Sequence, residues 1–260
     1  MIVWGLTIKP ISYELILSPI LFVASMFITL FLMLLYQKFI FSSKTNSNIF
    51  LATALIGNTG NLGIPLGIAL FGIESVPYTS IINIINIFFM YTISIYFFAR
   101  EKFNFKGAIR SIFKIPVIWF AIFALAINYY GFKIPESIYR ALEMGAYTSL
   151  TIQLFIFGTY LYSVKVKTIP WKLSLHISFV KHILLPLIGI IVVVNFTNLN
   201  AMVASILIME LMVPLAVNNV NFSVLYNTKP ADVAATILVS SLLFVFLLYF
   251  YIEILKYFIK

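Results

Sequence analysis

"IGNTGNLGIPLG", residues 56–67, sets four glycines, two asparagines, a threonine and a proline inside one of the most apolar regions of a 260-residue chain. The flanks, "IFLATAL" (49–55) and "IALF" (68–71), read as lipid-depth helix. Interrupting a helix there frees backbone N–H and C=O groups that lipid cannot satisfy, so the break must face protein or a water-filled cavity. Gly57 and Gly60 can leave helical φ/ψ, Asn58, Thr59 and Asn61 offer donors and acceptors, and Pro65 suits the first turn of a restarted helix. The stretch therefore predicts two half-helices whose dipole ends, one partly positive and one partly negative, meet at one spot. Gly63 and Gly67 also have the spacing of a helix-packing groove, which explains glycines but not two amides beside a proline. No Gly-Lys-Ser/Thr follows, so a nucleotide loop fits poorly.

Composition agrees with a membrane setting. Hydrophobic residues make up 62% of the chain and charged residues 10%, with a mean hydropathy of +1.07, more apolar surface than one soluble core could hide. The absence of cysteine excludes disulfides, Cys-ligated zinc and thiol catalysis. The net charge of +9 does not indicate nucleic acid, because the cations cluster between apolar runs, where they act as topology signals. No basic n-region with a cleavage site opens the chain, so a cleavable signal peptide is not expected.

A hydrocarbon core of roughly 30 Å takes about 20 helical residues. Eight apolar runs of that order emerge, at 15–36, 49–71, 78–99, 115–132, 142–163, 177–196, 201–226 and 231–255. They are long and continuous, unlike the short alternating strands of a β-barrel. The expected fold is an all-α polytopic membrane protein with eight transmembrane helices. Alternating the loops places Lys38, Lys44, Arg100, Lys102, Lys106, Arg110, Lys114, Lys165, Lys167, Lys172, Lys181 and Lys229 on one side, against Lys9, Lys133, Arg140, Lys256 and Lys260 on the other. The first, richer side is expected to be cytoplasmic. Three units follow: 1–99, a connector at 100–114, and 115–260. In the connector, "REKFNFKGAIRSIFK", cations recur every fourth residue while Phe105, Ile109, Ile112 and Phe113 fall on another face, as in an amphipathic helix on the inner leaflet. "KVKTIPWKLSLH" (165–176) reads as a second basic loop with Trp171 as interfacial anchor.

The seventh run, "SILIMELMVPLAVNNVNFSVLY" (205–226), repeats the opening theme, with Glu210 in mid-span, then Pro214, Asn218, Asn219 and Asn221. Two interrupted, amide-bearing helices at corresponding places in two halves mark inverted-repeat transporters, whose substrate site lies between the half-helices at the midplane. A carboxylate at that depth costs about 2.5–3.5 kcal/mol on insertion scales, which makes Glu210 a candidate ion-coupling group. A purely structural pair with Lys181 or His182 is its alternative. Asn83 and Asn86 in "SIINIINIFF" share a helix face and can line the same cavity or simply bond between helices. His176 and His182 read as interfacial or helix-end residues, since no metal-ligating spacing accompanies them. Asn195-Phe196-Thr197 matches a glycosylation sequon, a pattern that short sequences produce by chance.

"GNTGNLGIPLGIALFG" (57–72), "PVIWFAIFALAINYYGFKIPESI" (116–138), "VKHILLPLIGI" (180–190) and "VPLAVNNVNFSVLYNTKPADVAATILVSSLLF" (213–244) together resemble the auxin efflux carrier family, which includes PIN-type carriers and microbial malonate or dicarboxylate permeases. The resemblance runs from about residue 15 to the end. It implies the fold of the sodium/proton antiporter and bile-acid transporter group, with ten helices in two inverted five-helix repeats and crossing broken helices. The family's crossing prolines map onto Pro65 and Pro214, and its central loop onto 100–114. Against that pattern the first repeat has three helices of five, while 115–260 makes a complete repeat. The opening "MIVWGLTIKPIS" resembles the end of a helix, so Met1 is expected to be internal to a longer chain, with a shortened relative as the other reading.

The function expected from these readings is an efflux permease of the cell membrane for a small organic anion, auxin-like or dicarboxylic, working by alternating access. The expected substrate-binding residues are Asn58, Thr59, Asn61, Pro65, Asn83, Asn86, Pro214, Asn218 and Asn219, with Glu210 for ion coupling. A truncated, non-transporting subunit or sensor is one alternative, and an ion-coupled symporter of bile-acid type another. An intramembrane enzyme would need an aspartate pair, a Ser–His arrangement or a zinc motif in the spans, and none is apparent. No cofactor, metal or nucleic acid is implied. The partners are the anion, the bilayer and, as an option the sequence leaves open, a second copy of the chain.

Overall fold

Ser12 begins the first long helix: its hydroxyl accepts the Leu15 N–H at 3.1 Å, and Glu14 sits in the first turn, where a negative charge suits the helix dipole. The helix that follows, α2 (Tyr13–Ile40), has 28 residues and a length of about 42 Å, more than a bilayer core requires. The computed structural model describes residues 1–162, 164, 169–196 and 198–259, the side chain of 259 excepted. Lys165, Lys167, Thr197 of the sequon and Lys260 lie outside the described residues.

After α1 (Ile2–Thr7) and α2, the chain forms α3 (Lys44–Thr53), a π-turn at Thr59–Gly63, and α4 (Ile64–Phe71). Next, α5 (Val76–Phe89), a second π-turn (Met90–Ser94) and α6 (Ile95–Ala99) make one continuous rod. The connector forms α7 (Phe105–Ile112), capped by Asn104, and bends 63° into α8 (Pro116–Tyr129). There follow α9 (Glu136–Tyr162), then α10 (Trp171–Phe179), a third π-turn (Val180–Leu184) and α11 (Leu185–Phe196) as one rod. The chain closes with α12 (Ala201–Met212), α13 (Asn218–Leu225) and α14 (Pro230–Ile259).

The described residues form helices joined by turns and short loops, with no strand. Each of the eight apolar runs falls on helix, but four helices, Tyr13–Ile40, Ile73–Lys102, Trp171–Phe196 and Pro230–Phe258, are long and apolar enough to cross a membrane unaided, or five with the bent α7–α8 pair. The 49–71 and 201–226 runs are the two broken ones. Exposed apolar side chains such as Ile16, Phe27 and Phe31 on α2, and Val245, Phe246 and Tyr249 on α14, give the surface that a lipid-embedded protein presents.

The loops gather at two ends. At one, Lys229 donates to the Asn46 side chain at 2.8 Å, and a hollow of about 580 Å³ is lined by Thr45, Arg100, Lys102 and residues 225–228. At the other, Lys9 pairs with Glu74 at 2.7 Å, Asn128 donates to the carbonyls of Leu6 and Lys9, and Glu14 accepts the Asn200 N–H. Arg100, Lys102 and Lys229 thus lie together at one end and Lys9 at the other, while one of the expected loop cations is misplaced. Lys181, expected among the loop cations, is 1% exposed inside the helical body. His182, expected at an interface or helix end, is buried beside it. The third π-turn carries both, and its wider turn lets them point inward from an otherwise apolar rod.

Candidate functional site

The helix α3 ends at Thr53, and the chain turns at Ala54–Leu55 and passes through Gly57 before the π-turn at Thr59–Gly63. The second break runs from Val213, past Pro214, to Ala216. The two breaks meet. Gly57 and Leu215 form an antiparallel bridge in which the Asn58 N–H donates to the Pro214 carbonyl at 2.8 Å and the Ala216 N–H donates to the Ile56 carbonyl at 2.9 Å. Each break thus supplies the partners that the other lost by leaving the helix, which is what membrane depth demands. Pro65 lies not in the first turn of the restarted helix, as expected, but inside a helix continuous from Thr59 to Phe71, directly after the π-turn Thr59–Gly63, whose wider turn accommodates the missing N–H.

Side chains complete the accounting. Asn86 on α5 donates its amide to the Gly57 carbonyl at 2.9 Å and to the Thr59 hydroxyl at 3.0 Å, and that hydroxyl donates to Asn83 at 3.0 Å. Asn219 donates to the Ala216 carbonyl at 3.0 Å. On α14, the Ser240 hydroxyl accepts the Leu215 N–H at 3.2 Å and lies 2.9 Å from His182 Nε2, while the Tyr251 hydroxyl donates to the His182 carbonyl. The buried His182 is therefore a brace for the second break.

Beside the crossing lies a cavity of about 210 Å³. Asn58, Thr59, Gly60 and Asn61 line it from the start of the first restarted helix, Ala216, Val217 and Asn218 from the start of the second, and Asn83 and Asn86 from α5. Gln153 of α9 adds another amide, and Ile87, Met90 and Val117 supply apolar wall. The first N–H groups of a helix have no intrahelical acceptor, so two helix N-termini present free donors and positive dipole ends to one small space. Asn58 Nδ2 and Asn86 Oδ1 are buried there with no hydrogen-bond partner. Among the described residues, no charged side chain lines the cavity. Hollows at the two ends are larger, about 580 and 490 Å³, but both are lined by charged side chains, Arg100, Glu101 and Lys102 in one and Lys9, Lys133 and Glu136 in the other.

Of the residues singled out from the sequence, Asn58, Thr59, Asn61, Asn83, Asn86 and Asn218 come together in the cavity wall. Pro65, Pro214 and Asn219 shape and brace the breaks without lining it. Glu210 also stands outside it: its carboxylate is fully buried against Gly63, with neither oxygen hydrogen-bonded. Lys181 interacts electrostatically with Glu210, yet the two form no ion pair within 4 Å. Gln153 was missed by the sequence reading; it is a lone polar side chain in an apolar stretch, "LTIQLFIF", and that isolation is the signal that could have found it. Lys181 was read there as a loop cation, or as the structural partner of Glu210, and the structure places it inside the helical body.

An apolar all-helical body opened at its centre by two breaks that pair with each other defines an integral membrane protein with a small polar site at depth. Residues 9–252 match the model of a family described as membrane transport protein. The chain belongs to that family, the auxin efflux carrier family its motifs resemble, and is a membrane transporter. This agrees with the reading that it is not an enzyme. No curated protein matches the chain.

Proposed function

We propose that the protein is a secondary active carrier that exports a small organic anion, with the cavity at the crossing as its substrate site. The observation that carries this reading is the convergence of two helix N-termini and several amides on a space without charged side chains. Fixed dipole ends and neutral donors hold a carboxylate without stranding a permanent positive charge against it, so the anion can also leave. The free donor on Asn58 and the free N–H groups of 59–61 and 217–218 would grip the carboxylate, and Ile87, Met90 and Val117 would face the rest of the molecule. A volume of about 210 Å³, below the range usual for drug-sized ligands, favours a small acid such as malonate, malate or a compact aromatic acid.

In this reading 1–99 is a partial repeat, 115–260 is a complete inverted one, and alternating access moves the crossing helices against the rest. The end bearing Lys44, Arg100 and Lys229 faces the cytoplasm of a cell membrane, with 100–114 on that side. Glu210 serves ion coupling from behind the cavity wall. The test is counterflow: purified protein in liposomes preloaded with unlabelled malonate, malate or indole-3-acetate should take up the labelled acid with saturation, and the Asn58→Ala variant should raise the half-saturation concentration. Absence of saturable exchange for every acid offered would defeat the carrier reading.

A further inference from the structure

The crossing has a second electrostatic centre. Two helix N-termini face the cavity, so the ends of α3 and α12, with their partly negative carbonyl groups, turn elsewhere. In carriers built on broken helices, such C-terminal ends and unwound carbonyls are where a coupling cation binds. Here a side chain holds that place. A Cβ built on Gly57 would stand 2.6 Å from Lys181 Nζ and 3.0 Å from the side chain of Val213, the residue that ends α12. The ammonium is thus wedged between the exit from α3 and the end of α12, and only a glycine at 57 admits it. Glu210, in the last turn of α12, brings its carboxylate against Gly63, at the far end of the same π-turn that lines the cavity. Lys181 and Glu210 consequently touch opposite ends of the segment 57–63 whose middle forms the cavity wall.

Resting on the carrier reading, we infer that Lys181 and Glu210 form a proton-binding site that takes the place of a metal cation at the crossing, so that the anion crosses the membrane together with a proton. The elements packed on the third π-turn contribute few other titratable groups that face it. From α12 there is Glu210, from α14 Tyr251, and from α10 His176, which is turned toward Tyr36 at 2.9 Å. The neighbouring His182 is spent on Ser240 and Tyr251. Charge on the pair changes by one when a proton arrives or leaves, within a residue of Asn58 in the cavity wall. In an interior of low dielectric that change is felt strongly by an anion. Linkage is reciprocal: a proton that tightens anion binding is itself held more tightly when the anion is present. Export of the anion down its own gradient then removes a proton with it.

The experiment uses the reconstituted full chain and labelled malonate, malate and indole-3-acetate, with counterflow measured beside gradient-driven flux. The inference expects an imposed proton gradient to drive accumulation, and replacement of sodium by potassium or choline to leave it intact. It also expects a pyranine signal showing protons moving in the direction of the anion, and a half-saturation concentration that falls up to about tenfold per pH unit of acidification through the titration of the pair. In the Lys181→Gln variant, proton-driven accumulation should drop at least tenfold relative to that variant's own counterflow. Saturable counterflow with accumulation that follows sodium, or that ignores pH while no proton moves, would overturn the inference and leave the carrier reading standing. Absence of counterflow in the unmodified protein would overturn both. The sodium and pyranine measurements need no variant, so they decide the matter even if Lys181→Gln does not fold.

Discussion

Replacing Asn86 with alanine is the sharpest test of how the first break is held. The Asn86 amide donates both to the Gly57 carbonyl and to the Thr59 hydroxyl, and the residue is 4% exposed, so water cannot take over either role. Hydrogen bonds between membrane helices average about 0.6 kcal/mol each in mutant cycles. The larger cost comes from the Gly57 carbonyl, which lies next to the Asn58–Pro214 hydrogen bond and would be left buried without its donor, at about 1–3 kcal/mol. Asn86→Ala should therefore destabilise the protein by about 2–4 kcal/mol, equivalent to a fall in Tm of about 5–15 °C for a chain of this size. Asn83 only accepts one bond from Thr59 and is half-buried, so Asn83→Ala should cost less than half as much. The assay is thermal unfolding in detergent followed by size-exclusion chromatography, with counterflow measured at a permissive temperature. A Tm for Asn86→Ala within about 2 °C of the unmodified protein, or below that of neither Asn83→Ala nor the unmodified protein, would refute the claim that α5 fastens the break.

Three further outcomes follow from the same geometry. Asn61→Ala and Asn218→Ala remove side chains that line the cavity but do not fasten the breaks, Asn218 having only a long 3.4 Å contact from Asn221; each should raise KM for exchange about threefold to tenfold while shifting Tm by less than about 2 °C, as read by counterflow kinetics and thermal unfolding. Ser240→Ala deprives the Leu215 N–H of its acceptor at the second break and should cost about 1–3 kcal/mol in thermal unfolding, with no comparable loss for a serine that bonds only within its own helix, such as Ser241. Gly63→Ala drives a methyl group into the Glu210 carboxylate and should destabilise by about 1–3 kcal/mol; a double-mutant cycle with Glu210→Ala, which vacates that space, should recover most of the loss, and additive effects would show that the two do not touch.

The two breaks were legible because their cause is local. Glycine, asparagine and proline inside an apolar run disfavour a continuous helix at their own positions, whatever the rest of the chain does. Membership of the broken helices in one crossing was legible only through the likeness of the two runs. The direct exchange of backbone hydrogen bonds between Asn58 and Pro214, and between Ala216 and Ile56, depends on a tertiary approach that no local pattern encodes. Side-chain direction was less legible still. Asn218 and Asn219 are adjacent and equally polar, yet a helix turns about 100° between them, and one lines the cavity while the other braces the break. Lys181 was misplaced because it follows a run of loop cations, and counting cations cannot tell a snorkelling lysine from one that a π-turn rotates inward.

That misplacement shows how the site divides its electrostatic labour. A cation placed in the cavity itself would bind an organic anion so firmly that release on the far side would become slow, whereas amides and helix N-termini attract it without a fixed full charge. The charged groups are instead kept one layer behind, at Gly57 and Gly63, where the absence of side chains lets Lys181 and Glu210 reach the same short segment that carries Asn58 and Asn61. On the proposed reading, a change of charge there would act on a bound anion through the backbone of that segment, and without any charged side chain entering the cavity. The glycines of residues 56–67 thus have two separate duties: Gly57 opens the helix and admits an ammonium, and Gly63 closes the π-turn and admits a carboxylate. A helix-packing groove would need only the second kind of space, which is why the amides and the proline between them point to a site.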